Sequence, residues 1–144
     1  MSKKAIIILH KSAAEAGSVN SREFPEISNF MEIVLFFSIT VITAPATSID
    51  LILQAQDPVS LVWFNIMDDF TFRDPQGNAV ALIAVTGEGN ALRISSVTSP
   101  GNSRKGILGT QGQEFDYGRI RLRSITNGGG SVTFTATAEV KSEE

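Results

Sequence analysis

Between Ser131 and Lys141 an apolar residue fills every second place: Val132, Phe134, Ala136, Ala138 and Val140 alternate with Thr133, Thr135, Thr137 and Glu139. Residues 117–125 repeat the pattern, with Ile120 and Leu122 set between Arg119, Arg121 and Arg123. A period of two belongs to a strand with one dry and one wet face. A helix of about 3.6 residues per turn would scatter the same side chains around its surface. Further apolar runs bounded by turn residues lie at 1–11, 31–43, 47–56, 61–67, 79–85 and 91–97. No amphipathic helical pattern follows residue 30. Two half-dry sheets bury their apolar faces against each other. The expectation is therefore all-β: a two-sheet antiparallel sandwich, jelly-roll-like or immunoglobulin-like, with an extended N-terminal arm.

Composition narrows the chemistry. A chain of 144 residues without cysteine has neither a disulfide framework nor a thiolate metal site, and its length suffices for a core without staples. A formal charge of -3 argues against a dedicated nucleic-acid binder. The apolar run 5–9 is shorter than the roughly 7–15 residues of a secretory core. Residues 31–42 are interrupted by Glu32 and fall short of the ~20 needed to cross a bilayer. The expectation is a chain without a signal peptide, made in a cytoplasm, with no membrane or nucleic-acid partner.

Residues 1–23 read as an N-terminal strand and a small, polar linker, and residues 24–144 as the sandwich domain. Two hairpins are expected, because directly opposed residues must share a face. Odd positions are apolar in both 31–43 and 47–56, so Ala44-Pro45-Ala46 fits as a three-residue connection. Asn127-Gly128-Gly129-Gly130 would likewise join 117–125 to 131–141. Deleting residues 1–11 is expected to leave the body folded. Val34, Phe36 and Ile42 make the strand 31–43 apolar on its second face too, through either a covering segment or an intersubunit surface.

Few residues carry candidate chemistry. His10 is the single histidine, with Ser12 nearby, yet nothing organises a nucleophile, base and orienting acid. Gly87-Glu88-Gly89-Asn90 has the look of a phosphate loop but lies between two strands, as a hairpin turn does. Asp68, Asp69 and Asp74 share the loop 68–78, where the reading is a solvated turn and the alternative a bound calcium. No cofactor is expected. Arg119, Arg121 and Arg123 stand about 6.5–7 Å apart on one face, suited either to an acidic protein surface or to neutralisation by neighbours such as Glu139 or Asp116. Of Trp63 and Phe64, one should face inward. Trp63 is a core or interface anchor in preference to a sugar platform. Ile6, Ile7, Ile8 and Leu9 either fill pockets on a partner or complete the chain's own sandwich.

The order of several segments adds a resemblance. Residues 33–40, the strand 48–57 running into Asp57-Pro58, Val62-Trp63, residues 89–94, Arg119-Ile120-Arg121 and Ser131-Val132-Thr133-Phe134 follow one another in sequence. Over roughly residues 24–140 the chain resembles small β-sandwich structural proteins of tailed bacteriophages. The resemblance implies a non-enzymatic virion component: a capsid decoration, or cement, protein on the capsid surface. Its partners would be the major capsid protein or other virion subunits, and it would form a homo-oligomer, a trimer. Neck and tail components use similar sandwiches. Rival readings are a carbohydrate-binding module, which would depend on Trp63, and a hydrolase, which would depend on His10 or the acidic loop.

Overall fold

The computed structural model describes residues 3–25, 32–95, 105–111 and 118–142. Its strands are β1 (Lys3–Glu15), β2 (Ser18–Asn20), β3 (Glu32–Thr43), β4 (Ser48–Gln56), β5 (Trp63–Asn65), β6 (Phe70–Arg73), β7 (Ala79–Val80), β8 (Ile83–Val85), β9 (Gly89–Ser95), β10 (Lys105–Gln111), β11 (Ile120–Asn127) and β12 (Ser131–Ser142). A front sheet runs β1-β12-β3-β10-β6-β7, and a back sheet β2-β11-β4-β9-β8 with β5 added against β4. Every pairing is antiparallel. The protein is an all-β two-sheet sandwich.

Alternation builds the core as the sequence requires. Val132, Phe134, Ala136, Ala138 and Val140 of β12 face inward beside Ile33, Leu35, Phe37 and Ile39 of β3. Ile49, Leu51 and Leu53 of β4, with Ile120 and Leu122 of β11, close the core from the back sheet. Each large apolar side chain buried in this way contributes roughly 1.5–3 kcal/mol. Glycine is needed where β10 crosses Phe72: a Cβ on Gly109 would lie 2.6 Å from that ring.

The two expected hairpins do not form. β3 pairs with β12 and β10, whereas β4 pairs with β11, β9 and β5. The linkers after β3 and β11 are corners that carry the chain from one sheet to the other, the jelly-roll manner of winding. Parity alone cannot separate the two cases, since a corner also keeps inward residues inward. The corners lie against each other, with the Thr47 amide donating to the Asn127 carbonyl at 2.9 Å. Gly128 and Gly130 have φ of 90° and 64° there, and a Cβ on either would strike the backbone of the neighbouring corner.

The N-terminal segment is no free arm. β1 lies along β12 as the edge of the front sheet, and Ile7 and Leu9 enter the core. The expected linker continues β1 to Glu15 and supplies β2 of the back sheet, so strands before residue 23 belong to both layers. Removing residues 1–11 would uncover β12, which reverses the expectation that the body is indifferent to them. A bulge at Thr40 inverts the alternation of β3, turning Val41 outward and Ile42 toward the core. β6 and β10 fall in segments not read as strands. The hairpin expected at residues 87–90 is present between β8 and β9. Met31, Val97 and Tyr117, at the ends of expected strands, lie outside the described residues, as does Asp116.

Candidate interaction surface

The outer face of the front sheet is built from the positions that alternate with the core. Register places Ile8, Thr137, Phe36, Leu108 and Arg73 in one row across five strands, and Ile6, Glu139, Val34, Thr110 and Thr71 in the next. At ~4.8 Å between strands each row is about 20 Å long. Ile6 is 72% exposed and Ile8 50%, while Phe36 and Val41 also stand open. The four candidates at the N-terminus are therefore divided by strand geometry. Ile7 and Leu9 serve the chain's own core, and Ile6 and Ile8 face solvent. Among the described residues β1 pairs only with β12, so its other edge presents unpaired amides and carbonyls beside these isoleucines. Charge on the same face comes from the surface pair Lys4–Glu139, at 2.7 Å, from Lys141 and Glu32 in the row of Lys4, and from Arg73.

The outer face of the back sheet is made differently. Asp50 is fully buried on β4 and receives Arg93 bidentately, Nε to Oδ1 at 2.7 Å and Nη2 to Oδ2 at 2.9 Å. Asn127 donates to the same carboxylate at 3.1 Å. These hydrogen bonds hold the Arg93 guanidinium above its ordinary pKa. The arginine row continues the pattern. Arg119 donates to Glu23 at 2.9 Å, Arg121 to Gln54 at 2.8 Å, and Arg123 to both Glu88 oxygens, at 2.7 and 3.2 Å. Arg121 lies 4.3 Å over the ring of Trp63. Burial, then the charge of Arg123, draws Arg121 below its ordinary pKa. The partners are Glu23, Gln54 and Glu88; Glu139 belongs to the other sheet, where it meets Lys4. Trp63 is half-buried under this arginine and Phe64 is exposed, so neither enters the core that one of them was expected to reach.

Between β4 and β5 the chain forms a hydrogen-bonded turn. The Asp57 carboxylate accepts the Val59 amide at 2.9 Å and the Ser60 hydroxyl at 2.7 Å. The Leu61 amide donates to the Asp57 carbonyl, and the Asp57 amide to the Val62 carbonyl, both at 2.9 Å. The two bonds to the carboxylate, that of Val59 foremost, hold Asp57 below the usual carboxylate range. Leu61 is pinned at φ 63°, an unfavourable region for a bulky residue. The turn carries Val59, 89% exposed, with Leu61, Val62 and Phe64 also open to water.

The remaining candidates are spent locally. His10 stacks on Phe134 with ring centroids 3.8 Å apart, its Nδ1 2.9 Å from the Phe134 carbonyl oxygen and its Nε2 3.7 Å from Glu15. Both ring nitrogens thus face groups other than a hydroxyl nucleophile. Asp74 accepts the Gln76 and Asn78 amides of its own turn, and Asp68 accepts Asn90. Among the described residues, no three metal-ligating side chains gather. Asp50–Arg93 and the Asp57 turn were missed by sequence reasoning. A lone carboxylate inside the apolar run of β4, in a strand pattern alongside Arg93, was the available signal for the first.

No family model matches the chain, and no curated protein matches it in sequence. Among solved structures it is similar to the SPBc2 prophage-derived protein YomS, at 12% identity over 99% of this chain and 96% of that one, with a TM-score of 0.49. It is similar to the VP2 subviral particle protein of infectious bursal disease virus at 10% identity, covering 99% of this chain and 41% of that one, TM-score 0.36. A carbohydrate-binding module described for specific mannan recognition matches at 11% identity over 93% of this chain and 68% of that one, TM-score 0.35.

Proposed function

We propose that the chain is a non-enzymatic structural protein of a tailed-phage particle, a decoration protein that binds the capsid surface and stabilises the head shell. The carrying observation is the front face, where Ile6, Ile8 and Phe36 are exposed beside an edge of β1 that pairs with no other strand among the described residues. Apolar side chains held on a sheet beside a free edge are suited to adhesion. The order of segments over residues 24–140 supports placing that adhesion in a virion. The protein would act through many modest contacts repeated around the shell, with the major capsid protein or a neighbouring virion subunit across the face. A sugar-binding role has less support, because Arg121 covers one face of Trp63.

The test is to image particles assembled with and without the chain, and to measure particle retention of an Ile6→Glu/Ile8→Glu double variant. Density on the shell that vanishes without the chain is expected, with retention lost in a variant that still folds. Undiminished retention would reject the front face as the adhesive surface.

A further inference from the structure

An outer strand keeps a row of amides and carbonyls that only another extended backbone can satisfy along its whole length. Among the described residues, the outer strands β2, β7 and β8 have three, two and three residues. β1 has 13. Its register with β12 is unbroken from Lys3 to Ile8, and the irregularities lie between Ile8 and Ala13. The unbroken part contains no proline, and Ile6 and Ile8 stand exposed along it. Two hydrogen bonds show which of its backbone groups face outward. The Phe134 carbonyl of β12 is turned toward β1, where it meets His10 Nδ1 at 2.9 Å. The Thr133 carbonyl is turned the other way and accepts the Thr40 hydroxyl of β3 at 3.2 Å. The amide and carbonyl of one residue point to one side of a strand, and those of the next residue to the other. Even-numbered residues of β12 therefore serve β1, and Ala138 and Val140 bond to their partners Ile7 and Ala5. The amides and carbonyls of Lys4, Ile6 and Ile8 are left on the open edge.

We propose that this edge pairs with the same edge of a second copy, antiparallel, about a two-fold axis through Ile6. Opposed residues must share a face and a hydrogen-bonding side, and a two-fold through a residue meets both conditions when a strand pairs with itself. Of the axes through a residue of this stretch, only that through Ile6 pairs Lys4, Ile6 and Ile8 entirely with one another. Ile6 then lies against Ile6, and Ile8 against the aliphatic stem of Lys4, so the exposed isoleucines are covered from the side. An axis through Ile7 would set Lys4 against His10 and Lys3 against Lys11, and like charges directly opposed destabilise a sheet. The two front sheets become one, with their outer faces on the same side. That surface stays free for a shell, so the inference does not depend on the particle reading and is tested without particles. One short strand a side falls well below the roughly 20–30 residues a side of a standard interface, so association is weak and concentration-dependent.

The chain has no cysteine, so single cysteines in the purified full chain report the pairing directly. Across the axis, residue 6 of each copy forms a hydrogen-bonded pair with Cα atoms about 5.5 Å apart, within disulfide reach. The two copies of residue 8 are offset by four residues, about 13 Å along the strand, and are out of reach. Under a mild oxidant, Ile6→Cys should crosslink to a covalent dimer at least ten-fold faster than Ile8→Cys. In sedimentation velocity, wild type should associate reversibly as concentration rises. Ile6→Pro removes an amide that β12 does not use, and should be monomeric with unchanged circular dichroism. Ile6→Lys and Ile6→Glu, at an exposed position, each oppose like charges and should be monomeric alone. Mixed, these two should form one-to-one pairs. A wild type that stays monomeric at all concentrations would overturn the proposal and leave the edge to a strand of another protein. So would equal crosslinking at positions 6 and 8, or a Lys and Glu mixture that recovers nothing.

Discussion

The two outer faces of this sandwich have opposite economies. The back face has charge in abundance, and the chain uses it internally: Asp50 takes Arg93 and Asn127, Glu88 takes Arg123, and Gln54 with Trp63 takes Arg121. The front face also carries charge, in Lys4, Glu139, Lys141, Glu32 and Arg73, but it leaves Ile6, Ile8, Phe36 and Val41 in water. The arginine row, which in the sequence suited either an acidic partner or neutralisation by neighbours, is neutralised within the chain. Of the four N-terminal candidates, Ile7 and Leu9 enter the core while Ile6 and Ile8 face solvent. Electrostatic display signals a partner only when the chain has not already supplied one.

The largest effect should separate neighbours on β1. Leu9→Asp puts a charge into the core and should cost more than ~4 kcal/mol, enough to abolish cooperative unfolding. Ile8→Asp, one residue earlier on the open face, should stay within about 0.5 kcal/mol in urea denaturation. Equal costs would mean that β1 does not divide its side chains between core and solvent.

Next in size is Asp50→Ala. It removes three hydrogen bonds from a fully buried carboxylate and should cost about 3 kcal/mol, the lower end for breaking a buried charged pair. The half-exposed Arg93 is free to turn to water, which holds the cost at that end. Arg121→Ala should cost about 1 kcal/mol through the lost stacking and hydrogen bond. Trp63 is the sole tryptophan, so its emission should shift with that variant. An unchanged spectrum would show that the stack is not populated.

The smallest effect concerns the Asp57 turn. The folded pKa of Asp57 lies below the ordinary 3.8, so the ionised carboxylate holds the turn fully above that value. The hold is lost as pH falls through the lower folded value. Amide exchange at Val59 should therefore be slow at pH 5 and accelerate below about pH 3.8 relative to its intrinsic rate, while the β12 amides stay protected. Exchange at Val59 with no such step would mean that the carboxylate does not order the turn.

Much of the fold was legible because period two is a direct consequence of backbone geometry. β12, β4 and the inward half of β3 follow from it residue by residue. The hairpins were misread because Ala44-Pro45-Ala46 and the three glycines satisfy the same parity as corners, and only the other sheet decides between them. Val41 and Ile42 were inverted by the bulge at Thr40, which no local pattern announces. β10 was hidden by Gly106 and Gly109, poor strand formers that are tolerated or required by close packing on Pro75 and Phe72. The arginine row was seen, but its partners Glu23, Gln54 and Glu88 are distant in sequence and become neighbours only through the back sheet.

The most direct test of the central claim is a microscopy map of particles bearing this protein, resolved well enough to orient the sandwich on the shell. The account predicts the front face in contact, with Ile6, Ile8 and Phe36 buried against a shell subunit and the Arg119–Arg123 row turned to solvent. A map with the arginine row against the shell and the front face open to water would contradict it.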